Sequence, residues 1–197
     1  MSQIIKPFPG GGGSSVFSAT GTAPIQVNGV SGVAETGNVV ISYVPVVVPF
    51  INAYINTSVA NVTGDGTMYT VIFDTVTADG KPPDYNPSTG IFTAPIDGNY
   101  FITASLTWTG VTSEFTLSNI SYDTSAAGIT QHFNTQNPGK IYNINGEFTQ
   151  TITSNIGLPA GATFSILANV RGGSKTVGIL GNSYGIFSYL NISWVNA

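Results

Sequence analysis

The sequence predicts an all-β protein, and three observations carry that prediction. Apolar residues recur at every second position in several runs: Tyr69, Val71 and Phe73; Tyr100, Ile102, Ala104, Leu106 and Trp108; Phe164, Ile166, Ala168 and Val170; Tyr184, Ile186, then Ser188, Leu190, Ile192 and Trp194. That spacing puts each run on one face of a strand. No segment repeats apolar residues at the three- and four-residue spacing of an amphipathic helix. Turn-forming clusters separate the runs: Thr63-Gly64-Asp65-Gly66, Asp79-Gly80-Lys81-Pro82-Pro83, Asn137-Pro138-Gly139 and Arg171-Gly172-Gly173. Many short strands within about 150 residues predict a β-sandwich, and immunoglobulin-like and jelly-roll connections both satisfy the periodicity.

Met1 to Ser15 contains Pro7, Pro9 and the run Gly10 to Ser15, with little to bury and much chain entropy to lose, so residues 1–15 read as a flexible tether or anchor. Val16 to Val44 alternates short β-rich pieces, Pro24 to Val27 and Asn38 to Tyr43 among them, with Gly21, Gly29, Gly32 and Gly37. So short a piece buries little surface alone and needs neighbouring copies of itself, which predicts a β-rich shaft or oligomerisation segment over 16–48. Its end is the stiff apolar connector Pro45-Val46-Val47-Val48-Pro49, where each proline fixes its own φ and extends the residue before it. Residues 49–197 form the predicted head.

Only 14 of 197 residues are charged, 7% against the roughly 25% of an ordinary domain, and the net charge is -4. Five basic residues cannot neutralise a run of phosphates or hold an anionic membrane surface, which excludes nucleic acid and membrane surface as partners. With 42% hydrophobic and 11% aromatic residues the bulk of the chain has ample core to fold. The absence of cysteine removes disulfides, thiol nucleophiles and the usual zinc and iron–sulfur ligand sets. Met1 to Gly13 has no apolar run of signal-peptide length, and no stretch of about 18 apolar residues occurs, so no membrane insertion is expected. A role outside the cell would follow lysis, a non-classical route or incorporation into a particle.

Phe73-Asp74, followed by Tyr85-Asn86-Pro87-Ser88-Thr89-Gly90-Ile91-Phe92-Thr93-Ala94-Pro95-Ile96-Asp97-Gly98-Asn99-Tyr100-Phe101, resembles the signature of the C1q/TNF-like jelly-roll superfamily. There a Phe-Asp pair precedes a Tyr-Asn/Asp-x-x-Thr-Gly-x-Phe-Thr-x-Pro-x-x-Gly-x-Tyr run. Leu158 to Phe164 is similar to a later turn-and-strand element, with Ala162 where Asp is usual, and Phe187-Ser188-Tyr189-Leu190 to the closing element, with Tyr189 where Gly is usual. Asn86 and Ile102 are further departures. The resemblance spans roughly Phe50 to Ala197 and is strongest in its central third. It implies a jelly-roll sandwich that assembles as a homotrimer and binds a ligand. Phe73, Tyr85, Gly90, Phe92, Pro95, Gly98 and Tyr100 are assigned structural roles: the glycines serve turns, Pro95 stiffens the approach to a strand, and Phe92 and Tyr100 are core aromatics. No Gly-X-Y collagen stalk is present. Gly21 to Gly32 and Gly37 to Ser42 instead resemble segments that precede heads in phage and other viral fibre proteins, and occasionally in bacterial surface proteins.

No catalytic residue, cofactor or bound metal is expected. His132 is the single histidine; a Ser-His-Asp triad or a threefold imidazole site would have to be built around it, and a local structural role is the simpler reading. Asp65, Asp74, Asp79, Asp84, Asp97 and Asp123 offer oxygen ligands for Ca2+, which some C1q-like trimers bind, yet no loop of alternating acids closed by Glu occurs. Asp79-Gly80 and Asp97-Gly98 read first as turns. The Gly10 to Ser15 run lacks the Gly-Lys-Ser/Thr of a phosphate loop, and the nine acids single out no hydrolytic pair. Sequons at Asn56, Asn61, Asn119 and Asn191 matter only in a secretory pathway. Tyr54, Tyr122, Phe133, Tyr142 and Tyr189 are the aromatic candidates for glycan, receptor or subunit contact, none of them assigned as a site.

The reading is a non-enzymatic, homotrimeric attachment head of a viral or phage fibre, on a virion or another extracellular surface, binding a cell-surface glycan or protein. Ile4, Ile5 and Phe8 are placed to dock the N-terminus into a virion or shaft protein. The alternatives are a structural or adhesive surface-layer protein of a bacterium or spore, and then a fibre-borne glycan hydrolase.

Overall fold

The computed structural model describes residues 26–27, 30–31, 49–79, 84–126, 133–183 and 187–196. The tether over 1–15, the strand read at Asn38 to Tyr43, His132, Tyr184, Ile186 and the side chain of Phe133 lie outside them. The chain divides into two units, Met1–Val46 and Val47–Ala197. In the first, β1 (Gln26–Val27) and β2 (Val30–Ser31) pair antiparallel, Gln26 opposite Ser31 and Val27 opposite Val30.

The second unit holds two antiparallel sheets. Its strands are β3 (Phe50–Tyr54), β4 (Val59–Thr63), β5 (Tyr69–Thr70), β6 (Thr75–Asp79), β7 (Tyr85–Asn86), β8 (Ile91–Thr93) and β9 (Gly98–Thr109). They continue with β10 (Leu117–Thr124), β11 (Phe133–Gln136), β12 (Phe148–Leu158), β13 (Thr163–Arg171), β14 (Val177–Ile179) and β15 (Tyr189–Asn196). One sheet runs β4-β14-β9-β15-β3-β6 with β12 added on β9; the other runs β11-β10-β13-β8-β7 with β5 added on β13. β9 is the spine of the first sheet. β12 follows one flank from Gly98 to Trp108, while β15 takes the other flank over Asn99–Ser105 and β14 takes it at Trp108 and Thr109. Among the described residues the only helical piece is the 3-10 turn Pro138–Lys140, which proline opens.

The core lies where the inward faces meet: Ile51, Ala53, Tyr100, Ile102, Ala104, Leu106, Trp108, Leu190 and Ile192 against Phe92, Ile120, Tyr122, Phe164, Ile166, Ala168 and Val170, all buried. β-branched and aromatic residues fit a pleated surface with one covered face, and period two selects which of them meet. The stripes through Tyr100–Trp108 and Phe164–Val170 therefore become strand faces as expected. Two stripes are shorter than their spacing suggests. Val71 and Phe73 are buried but follow β5 as irregular chain, because the Val71 N–H donates to Ile166 O at 2.9 Å and the Phe73 N–H to the Tyr85 hydroxyl at 2.9 Å, outside any ladder. The last strand begins at Tyr189, since Ser188 turns inward: its Oγ accepts the Thr107 N–H at 3.0 Å and donates to Leu180 O at 2.7 Å.

Candidate functional site

The motif residues converge on one corner. Tyr85 and Phe92 face each other across β7 and β8, Phe92 pairs onward to Phe164, and its ring meets Tyr100 edge-on at 5.5 Å. The Tyr100 hydroxyl donates to Ile96 O at 2.7 Å, which holds the half-buried Pro95 segment against the start of β9 at Gly98. Between β7 and β8, Asn86 Oδ1 accepts the Ser88 N–H at 2.9 Å and Asn86 O accepts the Gly90 N–H at 2.9 Å. Gly90 has φ +74°, and a Cβ there would stand 2.5 Å from Val71 O, so conformation and space both demand glycine. The corner locks the end of one sheet onto the spine of the other.

Burial pushes the Tyr85 hydroxyl up to about 12 from an ordinary 10.0, with the negative charge of Asp74 adding to the rise and the Phe73 N–H opposing it. Tyr69 and Tyr100 are also raised, by desolvation first. A phenol that holds its proton more tightly when folded contributes stability that is complete below pH 10 and lost as pH climbs toward 12. Titrating tyrosinate absorbance should show one tyrosine ionising near 12, missing in Tyr85→Phe, and unfolding free energy falling from pH 10 upward more steeply in the wild type. Ionisation of Tyr85 together with the exposed tyrosines would mean the corner is open.

An open depression of about 540 Å³ beside this corner is lined by Asp84, Tyr85, Asn86, Pro87, Thr89, Ile91 and Thr93. Among the described residues its lining holds a single carboxylate, whereas glycoside hydrolysis uses two. The other acids are spread out. Asp65 Oδ1 accepts the Thr67 N–H at 2.9 Å, and hydrogen bonding to Thr67 holds its carboxyl below the usual range. Asp74 Oδ1 accepts the Asn56 N–H at 2.8 Å, and Asp97 Oδ1 the Ala160 N–H at 2.6 Å. Asp123 is exposed on β10. Among the described residues no three His, Cys, Asp or Glu side chains gather as a metal site, and the side chain of Asp79 lies outside them.

Of the aromatic candidates, Tyr122 must be corrected: it points into the core, in phase with Ile120, and packs on Phe164 at 5.4 Å. Tyr54 and Tyr189 are half-buried opposite each other on β3 and β15, and Tyr142 is exposed. The Tyr189 side chain projects from the outer face, out of phase with the buried Leu190 and Ile192.

That outer face belongs to the first sheet, and sequence reasoning missed its most prominent residues. One row reads Phe50, Ser193, Phe101, Asn155 across β3, β15, β9 and β12; the next reads Asn52, Asn191, Thr103, Thr153. Phe101 is 47% exposed and Phe50 41%, and none of the eight residues is charged. Thr149 and Thr151 extend the uncharged strip along β12, where hydroxyls pair across the ladder: Thr107 with Thr149 at 2.9 Å and Ser105 with Thr151 at 3.0 Å. The available signal was Phe101 itself, an aromatic out of phase with the Tyr100–Trp108 stripe.

The loops beyond the Trp108 end of β9 form a tight cap. Phe115 is completely buried there, and close packing holds Gly64, Gly139, Gly172 and Gly173 against it. A Cβ on Gly173 would stand 2.7 Å from the Phe115 ring, and one on Gly172 3.1 Å from its Cα. The backbone follows: Gly139 N–H donates to Phe115 O at 2.8 Å, Gly173 N–H to Gly64 O at 3.2 Å, and Thr116 N–H to Arg171 O at 2.9 Å.

Comparison with known proteins agrees with this geometry. The C1q domain family model matches residues 53–141. The globular domain of zebrafish complement 1qA protein superposes with a TM-score of 0.52 at 12% identity, over 75% of this chain and 97% of that one. Murine APRIL gives 0.50 at 8% identity, over 75% of this chain and 99% of that one. The Eiger TNF of S. frugiperda gives 0.50 at 13% identity, over 76% and 95%. At these identities the structural likeness is one of fold. No curated protein matches the sequence.

Proposed function

We propose that the protein, whose Val47–Ala197 unit has a jelly-roll fold and whose residues 53–141 match the C1q domain model, is a homotrimeric, non-catalytic attachment head of a viral or phage fibre, displayed on a virion and binding a glycan or protein of the host surface. The observation that carries this reading is the uncharged outer face of the first sheet with Phe50 and Phe101 standing out of it. A monomer gains nothing from two half-exposed rings on a flat face, whereas burial between copies contributes on the order of 1 kcal/mol per ring. The lack of charge lets identical faces approach without like-charge repulsion. Residues 1–15, poor in anything to bury alone, serve as the tether to a particle or shaft protein.

Light scattering on the full chain tests the assembly. Three copies of the 20.4 kDa chain should give about 61 kDa. A mass of one chain at micromolar concentration would remove the attachment-head reading, because its binding surfaces are assigned to an assembly.

A further inference from the structure

At the end of the sandwich opposite Phe50, the loop Ile141–Glu147 holds Ile144 fully exposed to solvent, with Ile141 51% and Tyr142 36% exposed beside it. The loop is not slack. Asn143 Oδ1 accepts the N–H groups of Asn145 at 2.9 Å and Glu147 at 3.0 Å, its Nδ2 donates to Glu147 Oε2 at 3.2 Å, and its own N–H donates to Glu147 O at 2.7 Å. The Val111 N–H donates to Gly146 O at 2.9 Å, and the Ile141 and Tyr142 N–H groups both reach Pro138 O. One asparagine thus closes a ring that presents a branched aliphatic tip, and the only acid in the loop is held by that asparagine. Ordering such a loop in advance removes the conformational cost that contact would otherwise incur.

We propose that this loop is a subunit lock: Ile144 of one copy inserts between apolar residues at the same end of a neighbouring copy. The inference rests on the trimeric reading and assigns to it a contact that the sheet face alone does not contain. Two features select a second copy as the occupant. The loop runs through Glu147 into β12, whose exposed Thr149, Thr151, Thr153 and Asn155 edge the uncharged face, so a copy seated on that face reaches the loop. In a ring of copies whose strands follow the ring axis, like ends meet, and this end carries the apolar counterparts: Met68, 47% exposed, together with Ile141 and Tyr142. A glycan is a poor occupant, since sugars are held by flat rings and hydrogen-bonding groups rather than by a branched aliphatic tip.

The chain has no cysteine, so full-length Ile144→Cys carries one thiol per copy, at a position whose exposure keeps folding out of the outcome. Asp123→Cys, exposed on β10 of the other sheet, is the reference. With both proteins at the mass of three chains, a maleimide dye should label Ile144→Cys roughly tenfold more slowly than Asp123→Cys, and at an equal rate once dilution lowers the mass to one chain. Equal labelling in the intact assembly would overturn the lock while leaving the trimer standing, and would mark the loop as facing an outside partner or a lipid surface. A wild-type mass of one chain at every concentration would overturn both readings.

Discussion

Phe115→Ala is expected to destabilise the head by about 4 kcal/mol, the cost of truncating a fully buried phenylalanine whose surroundings cannot collapse. Backbone borders the ring at Gly64 and Gly173, where an added Cβ would stand 3.2 and 2.7 Å from it, while Gly139 and Gly172 close on the Phe115 main chain, and backbone moves less readily than a side chain to fill a void. Guanidinium unfolding at fixed protein concentration would read the loss, since an assembly's stability depends on concentration. Hydrogen exchange should locate it: the amides of Gly64, Gly66, Thr116, Gly139 and Gly173, all bonded within this cap, should lose protection before those of β9 and β12. A loss below about 1 kcal/mol would show that the cap stands without its central ring.

The second large effect concerns assembly. Phe101→Asp should reduce the solution mass from about 61 kDa, three times 20.4 kDa, to that of one chain, because a contact made by the outer face would then bury a carboxylate among the uncharged Phe50, Ser193 and Asn155. The fold should survive, since Phe101 is nearly half exposed on the strand whose opposite face carries Tyr100 and Ile102 into the core. Phe101→Ala should weaken association without abolishing it. An unchanged mass for Phe101→Asp, with the wild type trimeric, would move the subunit contact off this face. Gln150→Asp would be no substitute, because Gln150 is buried and joins Trp108 Nε1 at 3.2 Å to Asn134 O at 2.6 Å, so its loss acts within the chain.

What is local and periodic in this fold was legible in the chain. Alternation at Tyr100–Trp108 and Phe164–Val170 decided which side chains enter the core, because successive residues of a strand point to opposite faces. The Tyr85-to-Tyr100 motif was legible for a similar reason: turn chemistry at Asn86 and Gly90 and the pairing of Phe92 with Tyr85 and Tyr100 act over short stretches of chain. Phase alone also carries Tyr122 inward with Ile120, away from any contact surface.

Which outward residues stay uncovered depends on the packing of the whole unit. Phe101, Thr103, Ser105 and Thr107 alternate identically along β9, yet Phe101 remains half exposed while Ser105 and Thr107 are buried, and the Thr107 hydroxyl donates to Phe187 O at 2.8 Å on a segment eighty residues away in sequence. Phe115 carries no periodicity because it lies between β9 and β10, and its burial depends on glycines drawn from three other loops. Ile144 is exposed because Asn143 closes the ring beneath it. Strand phase follows from backbone geometry residue by residue, whereas exposure on the second face depends on which distant chain crosses it, and that is settled only when the two sheets and their loops are in place.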